Sequence, residues 1–119
     1  SFPMDVEKMR EGAKYLIGEH DFVSFCNIRT NVEDTVRTVT DLTITQNGED
    51  ITIRITGNGF LYNMVRIIAG TLIRVGRGFY TPDKVKAILE EKERTAAGVT
   101  APANGLVLVE VKYGEENLL

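Results

Sequence analysis

The longest apolar segment of the chain lies between two glycine-containing stretches and predicts a central helix. Between Gly57 and Gly78 the apolar residues recur at helical spacing, which predicts a helix of about four turns. Its core-facing stripe consists of Leu61, Met64, Val65, Ile68, Leu72 and Val75. The opposite stripe consists of Asn63, Arg66, Gly70, Arg74 and Arg77. We therefore expect a helix that is apolar around most of its circumference and carries only positive charge.

Shorter patterns predict three strands. Residues 35–46 are rich in β-branched side chains and predict a strand, in which a phase slip near Thr40 indicates a bulge. The Asn-Gly pair at 47–48 predicts a hairpin turn, either tight or lengthened by Glu49 and Asp50, into an alternating strand over 51–56. Residues 106–113 predict the last strand.

Two further helices flank this pattern. Residues 5–17 predict an amphipathic helix that ends at Gly18 in a left-handed cap. Thr81 and Pro82 predict the start of another, with Thr81 as its cap, that continues to Glu91. The expected fold class is therefore α+β, a mainly antiparallel sheet with helices packed on one face, in a single domain over 1–119. Residues 20–25 are predicted to be a short extended or turn segment, and residues 27–34 and 95–105 are predicted to be loops.

The composition is that of an ordinary globular domain. Apolar residues make up 43% of the chain and charged residues 26%. No stretch approaches the roughly 18 unbroken apolar residues of a membrane span, and no signal peptide is visible. The single cysteine excludes an intrachain disulfide and a cysteine-based zinc site, which fits a reducing cytoplasmic setting. The chain begins with Ser1 rather than methionine, which indicates a processed or truncated piece.

Arginine is concentrated in the middle of the chain. The net charge of −3 argues weakly against nucleic-acid binding, yet residues 29–77 hold six arginines, no lysine and five acids. Arginine suits bidentate pairing with phosphate or carboxylate. Arg66, inside the apolar segment, is expected to be partly buried and to need an anion. That anion is either a carboxylate of this chain, in a structural salt bridge, or a phosphate or active-site carboxylate supplied from elsewhere.

The other candidate residues each allow a structural and a functional interpretation. His20 either forms an acid–base pair with Asp21 or caps the preceding helix. Cys26 is expected to be a small buried hydrophobe rather than a nucleophile. Phe60 and Tyr62 either pack in the core or stack on a nucleic-acid base. The single histidine gives little support to a metal site, and no phosphate loop of the Walker or dinucleotide type is present.

Four motifs occur in order along the chain. They are His20-Asp21-Phe22-x-x-Phe25, Thr35-Val36-Arg37-Thr38-Val39, the segment from Gly57 to Gly70, and Thr100-Ala101-Pro102-Ala103-x-Gly105-Leu106 followed by Val109-x-Val111-x-Tyr113. Together they resemble the motifs of the tRNA pseudouridine synthase A family. The resemblance covers nearly the whole chain.

The resemblance implies an enzyme that isomerises uridine to pseudouridine in the anticodon arm of tRNA. It implies a cytoplasmic homodimer without cofactor or metal, with a catalytic core of two halves, of which this chain is the C-terminal one. The family's nucleophilic aspartate lies in an N-terminal motif, Arg-Thr-Asp-x-Gly-Val-His, that this chain lacks. We therefore expect the isolated chain to be inactive, with tRNA and the N-terminal half of the same enzyme as its partners.

The resemblance also implies roles for individual residues. Arg66 matches the family arginine that pairs with the catalytic aspartate, and Leu106 matches the apolar residue beside the target uridine. Arg54, Arg74 and Arg77 are candidate phosphate contacts on electrostatic grounds. The competing hypothesis is a stand-alone, non-enzymatic α+β module for RNA binding or scaffolding. The predicted substrate-binding residues are Leu106, Tyr62, Asn63, Arg74 and Arg77.

Overall fold

Helices and strands account for most of the computed structural model, which describes residues 3–26, 33–93 and 107–113. In chain order the elements are α1 (Val6–Lys14), β1 (Gly18–Asp21), a 3-10 turn (Val23–Phe25), β2 (Val36–Asn47), β3 (Asp50–Gly57), α2 (Met64–Gly76), α3 (Asp83–Glu91) and β4 (Val107–Tyr113). The loop predicted over 95–105 lies outside the described residues, as does most of the loop predicted over 27–34.

The four strands form one sheet in the order β1-β2-β3-β4. The β1–β2 and β2–β3 pairs are antiparallel, whereas the β3–β4 pair is parallel. A parallel pair needs a long connection, and α2 and α3 provide it because they lie between β3 and β4 in sequence. The predicted α+β class with a mainly antiparallel sheet is confirmed.

The β2–β3 hairpin agrees with its prediction. Its loop consists of two residues, Gly48 and Glu49. Gly48 has φ +64°, a left-handed conformation that glycine adopts because it has no Cβ. The register of the pair shifts between Val39 and Asp41, so the bulge predicted near Thr40 is also confirmed.

One face of the sheet is buried under the helices, and the other faces solvent. Ile53 and Ile55 of β3 are buried, whereas Arg54 between them is exposed. This alternation is typical of a strand with one packed face. The helices contribute to one hydrophobic core, so their predicted packing on one face is confirmed. Fully buried side chains of the three helices include Met9, Met64, Ile68, Leu72 and Ile88.

Helix α1 is shorter than predicted. It ends at Lys14, with Tyr15 as its C-cap, instead of continuing to Ile17. Gly18 has a positive φ (+107°), as a left-handed cap does, but it is not the helix cap, because it begins β1, where it pairs with Val39. Pairing of the chain into the sheet ends the helix early, and Ile17 is exposed rather than buried in the core.

Helix α2 is buried on most sides. Of its predicted core-facing residues only Val65 is half-buried, and the others are buried. Gly70, predicted on the arginine stripe, is buried as well. Helix α1 packs against α2 near its C-terminal end, where a Cβ on Gly76 would lie 2.7 Å from Met9 Sδ. Within the described residues, no helix has the length and apolar character that crossing a membrane requires.

Helix α3 starts at Asp83, one residue after the predicted start, and the predicted Thr81 cap is wrong, because Pro82 occupies the N-cap position. Pro82 already has helical dihedral angles (φ −56°, ψ −38°). The Thr81 hydroxyl donates to the carboxylate of Asp83 rather than accepting from a backbone N–H group. Lys92 ends the helix in a left-handed conformation, with φ +53°. The buried residues of α3 are the three at core spacing, Val85, Ile88 and Leu89.

Candidate nucleic-acid interface

The loop over 58–63 connects β3 to α2 and carries several predicted site residues. It follows Gly57, where a Cβ would lie 2.7 Å from Thr38 O of β2, so a side chain there requires a backbone shift. Asn58 N–H donates to Thr38 O (3.1 Å), and Asn58 Oδ1 accepts from Thr38 N–H (3.0 Å). These two hydrogen bonds hold the start of the loop against β2.

Phe60 and Tyr62 differ in their surroundings. Phe60 is half-buried, and its ring meets that of Tyr113 edge to face with 5.5 Å between the ring centroids. Tyr62 is 70% exposed. Phe60 is therefore a packing residue, while the ring of Tyr62 is accessible to a nucleic-acid base.

Asn63 precedes α2 in a left-handed conformation, with φ +63° and ψ +3°. Asparagine is one of the few residues that adopt this conformation readily. Its carbonyl accepts the N–H of Ile67 (2.9 Å), so its backbone belongs to the first turn of the helix. Its side chain makes no capping hydrogen bond to the helix, so the side-chain amide is available to a ligand.

Arg66 is the third residue of α2 and is exposed, so the expected partial burial is wrong. Its apolar sequence neighbours pack into the core, but the helix points Arg66 away from them. Within the described residues, no carboxylate oxygen lies within 4.0 Å of its guanidinium. The structural salt bridge considered for Arg66 thus has no partner in this part of the chain, and its charge is accessible to an anion.

Arg74 and Arg77 lie at the other end of α2. The guanidinium of Arg74 lies over the ring of Tyr80, with 5.7 Å from Cζ to the ring centroid, and Arg77 is the exposed C-cap. Arg74 is eight residues after Arg66, or about 12 Å along the helix axis. The structure therefore does not gather the predicted arginines of α2 into one cluster.

Arg54 belongs to the opposite face of the sheet. Its Nε donates to Glu110 Oε2 (2.6 Å) in an ion pair between β3 and β4. Because Ile53 and Ile55 are buried beneath the helices, Arg54 points away from them. Arg54 is therefore separated from α2, and a carboxylate of the same chain balances its charge. Leu106 lies outside the described residues.

His20 and Asp21 make separate structural contacts. His20 Nε2 donates to Ile17 O (2.8 Å), a carbonyl of the turn after α1, and Asp21 Oδ1 accepts from the hydroxyl of Thr35 (2.6 Å). Neighbouring residues of a strand point to opposite faces, so these two side chains form no acid–base pair in the described contacts. Cys26 is fully buried, as predicted. The described residues contain no cluster of His, Cys, Asp or Glu that could hold a metal ion.

Arg37 of β2 is a neighbour of the loop that the sequence interpretation did not select as a site residue. Its Cδ and Nε lie 3.9 Å from the position that a Cβ of Gly59 would take. The signals in the sequence were its place in the motif over 35–39 and its place among the six arginines of residues 29–77. We refer to residues 57–66 together with Arg37 as the loop end of the molecule.

Comparisons with known proteins identify a family. The model of the family described as tRNA pseudouridine synthase matches residues 13–114. Proteins named tRNA pseudouridine synthase A from Bacillus velezensis and Bacillus subtilis are each 56% identical over 113 residues, covering 95% of this chain and 46% of the relative. The protein of that name from Thermoanaerobacter sp. is 51% identical with the same coverage. The chain thus spans about half the length of the curated relatives it matches.

Proposed function

This chain belongs to the tRNA pseudouridine synthase family, and we propose that it is the C-terminal half of the catalytic core of such an enzyme. The proposed reaction converts uridine to pseudouridine in the anticodon arm of tRNA. The two nucleosides are isomers, in which ribose is bonded to N1 or to C5 of the base. The base therefore loses the hydrogen on C5 as a proton and gains one at N1, and the overall change needs no cofactor.

Arg66 carries the proposal. Arg66 belongs to the segment from Gly57 to Gly70, which resembles a motif of the family, and its side chain is exposed. No carboxylate of the described residues forms an ion pair with its guanidinium. Its proposed partner is the nucleophilic aspartate of the N-terminal half. A guanidinium next to that carboxylate lowers the pKa of the aspartate and orients it for attack on the nucleoside.

The remaining predicted site residues are proposed to bind the RNA. Tyr62 is exposed four residues before Arg66 and is suited to stacking on a base, and Asn63 offers its side-chain amide. Leu106 is proposed to pack beside the target uridine. Arg74 and Arg77, one turn apart at the far end of α2, are proposed to contact phosphates away from the reacting nucleotide.

The proposal also requires protein partners. Val111 and Tyr113 of β4 are exposed apolar side chains, and Tyr113 contacts Phe60 of the loop, which supports contact of this region with the N-terminal half of the same enzyme. The whole enzyme is proposed to act as a homodimer in the cytoplasm. This chain alone is proposed to be inactive, because the nucleophile comes from the other half.

A complementation assay tests the proposal. The chain is mixed with the separately produced N-terminal half of the Bacillus subtilis relative, and tritium release from 5-tritiated uridine in tRNA is followed. We expect activity only in the mixture, and a loss of about 10²–10³-fold on Arg66→Ala, the usual effect of removing one charge-stabilising group. Arg10→Ala is the control, because Arg10 is ion-paired with Glu7 on α1.

The outcomes distinguish two functions. Activity that is indifferent to Arg66→Ala removes Arg66 from the active site. If folded halves show no activity together, the stand-alone RNA-binding or scaffold module becomes the better interpretation. The coding sequence upstream of Ser1 provides an independent test, because an in-frame Arg-Thr-Asp-x-Gly-Val-His segment supports the enzyme.

A further inference from the structure

Arg37 is held at a fixed position in the loop end. Its Nη1 donates to Asp34 O (2.9 Å) and Val36 O (2.7 Å), so two neutral carbonyls of its own segment anchor the guanidinium. Its Cδ and Nε lie against Gly59, in the loop that leads to α2. The side chain is therefore oriented before any ligand binds, which reduces the entropy that binding costs.

Arg37 lies on the face of the sheet that the helices cover. Side chains alternate along a strand, and Val39, two residues further along β2, is fully buried under the helices. Arg37 therefore points to the same side of the sheet as α2, which carries Arg66. Arg54, in contrast, points to the open face.

The guanidinium of Arg37 retains its charge and further donors. Among the described residues, the hydrogen bonds of the guanidinium engage only Nη1, which leaves the N–H groups of Nε and Nη2. Within the described residues, no carboxylate oxygen lies within 4.0 Å of the guanidinium. The edge formed by Nε and Nη2 matches two oxygens of a phosphate, which is the bidentate geometry that arginine favours.

We propose that Arg37 binds a backbone phosphate of the RNA substrate, beside the nucleotide that faces Arg66 and Tyr62. The inference rests on the proposed function, because it takes the RNA of that reaction as the ligand. A phosphate held by Arg37 sets the register of the RNA strand on the loop end, while the residues of α2 contact the reacting nucleotide.

A purely structural role for Arg37 predicts a different result. An arginine that only holds residues 34–36 affects stability but does not change the number of phosphates that the protein neutralises. Each phosphate contact adds about 0.7–0.9 to the slope of log Kd against log salt concentration. The salt dependence of RNA binding therefore separates the two roles.

The experiment measures binding of a fluorescein-labelled anticodon-arm hairpin by anisotropy over a range of salt concentrations. The wild-type chain and its Arg37→Gln, Arg37→Lys and Arg10→Gln variants are compared, each alone and mixed with the N-terminal half used for complementation. Arg10→Gln is the matched control, because Arg10 also donates to a backbone carbonyl, that of Ile44 (2.9 Å), but is ion-paired with Glu7. Thermal unfolding of each variant reports any change in stability.

We expect Arg37→Gln to weaken binding about five- to tenfold at 0.1 M salt and to lower the slope by about 0.7–0.9. Arg37→Lys keeps the charge and is expected to restore the slope, with an intermediate Kd. Arg10→Gln is expected to change neither. An unchanged slope in Arg37→Gln overturns the inference, whether or not the Kd changes, and so does an absence of RNA binding by the wild type in both preparations.

Pseudouridine formation in the same mixtures separates this inference from the proposed function. If the wild-type mixture forms pseudouridine while Arg37→Gln binds RNA with an unchanged slope, only the inference on Arg37 fails. If no pseudouridine forms while Arg37→Gln lowers the slope, the proposed function fails and the phosphate contact stands.

Discussion

The open face of the sheet and the loop end use arginine in opposite ways. On the open face, Arg54 pairs with Glu110 on the neighbouring strand, and both side chains are partly exposed. At the loop end, Arg66 has no carboxylate partner among the described residues, and the hydrogen bonds of Arg37 go to neutral backbone carbonyls. The two regions lie on opposite faces of one sheet and differ in whether a carboxylate of the described residues balances the charge of the arginine.

This difference separates arginines that support the fold from arginines suited to binding. An exposed ion pair is worth about 0–1 kcal/mol, and its charges largely cancel at a distance. An arginine whose partners are neutral keeps its attraction for an anion. Arg37 and Arg66, which have no carboxylate partner among the described residues, both lie in segments that resemble the family's motifs. Whether an arginine has a carboxylate partner therefore indicates the site better than the number of arginines in a segment does.

Gly57→Ala tests whether the loop end depends on the close contact between β3 and β2. The new Cβ would lie 2.7 Å from Thr38 O, so we expect the free energy of unfolding to fall by about 1–3 kcal/mol. Urea unfolding of the chain measures the effect. Gly48→Ala is the control, since Gly48 has no neighbour within 4 Å of its Cβ position and only its φ of +64° is unfavourable, at about 1 kcal/mol. If Gly57→Ala lowers the free energy of unfolding less than Gly48→Ala does, the close approach of Gly57 to Thr38 O does not restrict the side chain at this position.

Phe60→Ala and Tyr62→Ala sharpen the distinction between packing and binding within the loop end. Phe60→Ala is expected to lower the free energy of unfolding by about 1–2 kcal/mol, because Phe60 is half-buried against Tyr113. Tyr62→Ala is expected to leave stability within about 0.5 kcal/mol but to weaken RNA binding by about 1–3 kcal/mol through loss of stacking. Urea unfolding and anisotropy measure the two effects. Equal RNA affinities of the Tyr62 variant and the wild type would contradict the stacking role.

Arg54→Ala has the smallest expected effect and tests the open face. We expect a loss of stability of about 0–1 kcal/mol, which decreases as salt is raised. A double-mutant cycle with Glu110→Ala measures the coupling of the pair. RNA affinity and its salt dependence are expected to stay unchanged. A fall in the salt slope like that expected for Arg37→Gln would place RNA on the open face and break the comparison.

Much of the fold follows from local patterns in the sequence. The alternation of Ile51, Ile53 and Ile55 with polar residues places one face of β3 in the core, and the Asn-Gly pair at 47–48 marks the hairpin. The end of α1 could not be predicted in the same way. Gly18 is a good helix cap by its residue type, but pairing with Val39, which is distant in sequence, draws it into β1.

The sequence predicted which residues belong to the candidate site better than it predicted whether their side chains are buried or exposed. The sequence and its resemblance to a family selected Arg66 and Tyr62, and the structure leaves both exposed at the loop end. The pattern could not assign an environment to Arg66, because a run of apolar neighbours does not show which sides of a helix are covered. It also grouped Arg54 with the arginines of α2, although the sheet places Arg54 on the other face.

Sequence alone determined what depends on near neighbours: the period of α2, the turn at Gly48, the bulge near Thr40 and the types of residue available for binding an anion. Tertiary structure decided what depends on contacts between distant segments: the parallel pairing of β4, the early end of α1, the pairing of Arg54 with Glu110 and the position of Arg37 beside Gly59. The physical reason is that backbone propensity and side-chain period act over a few residues, whereas charge balance and burial are set by whatever the fold brings together.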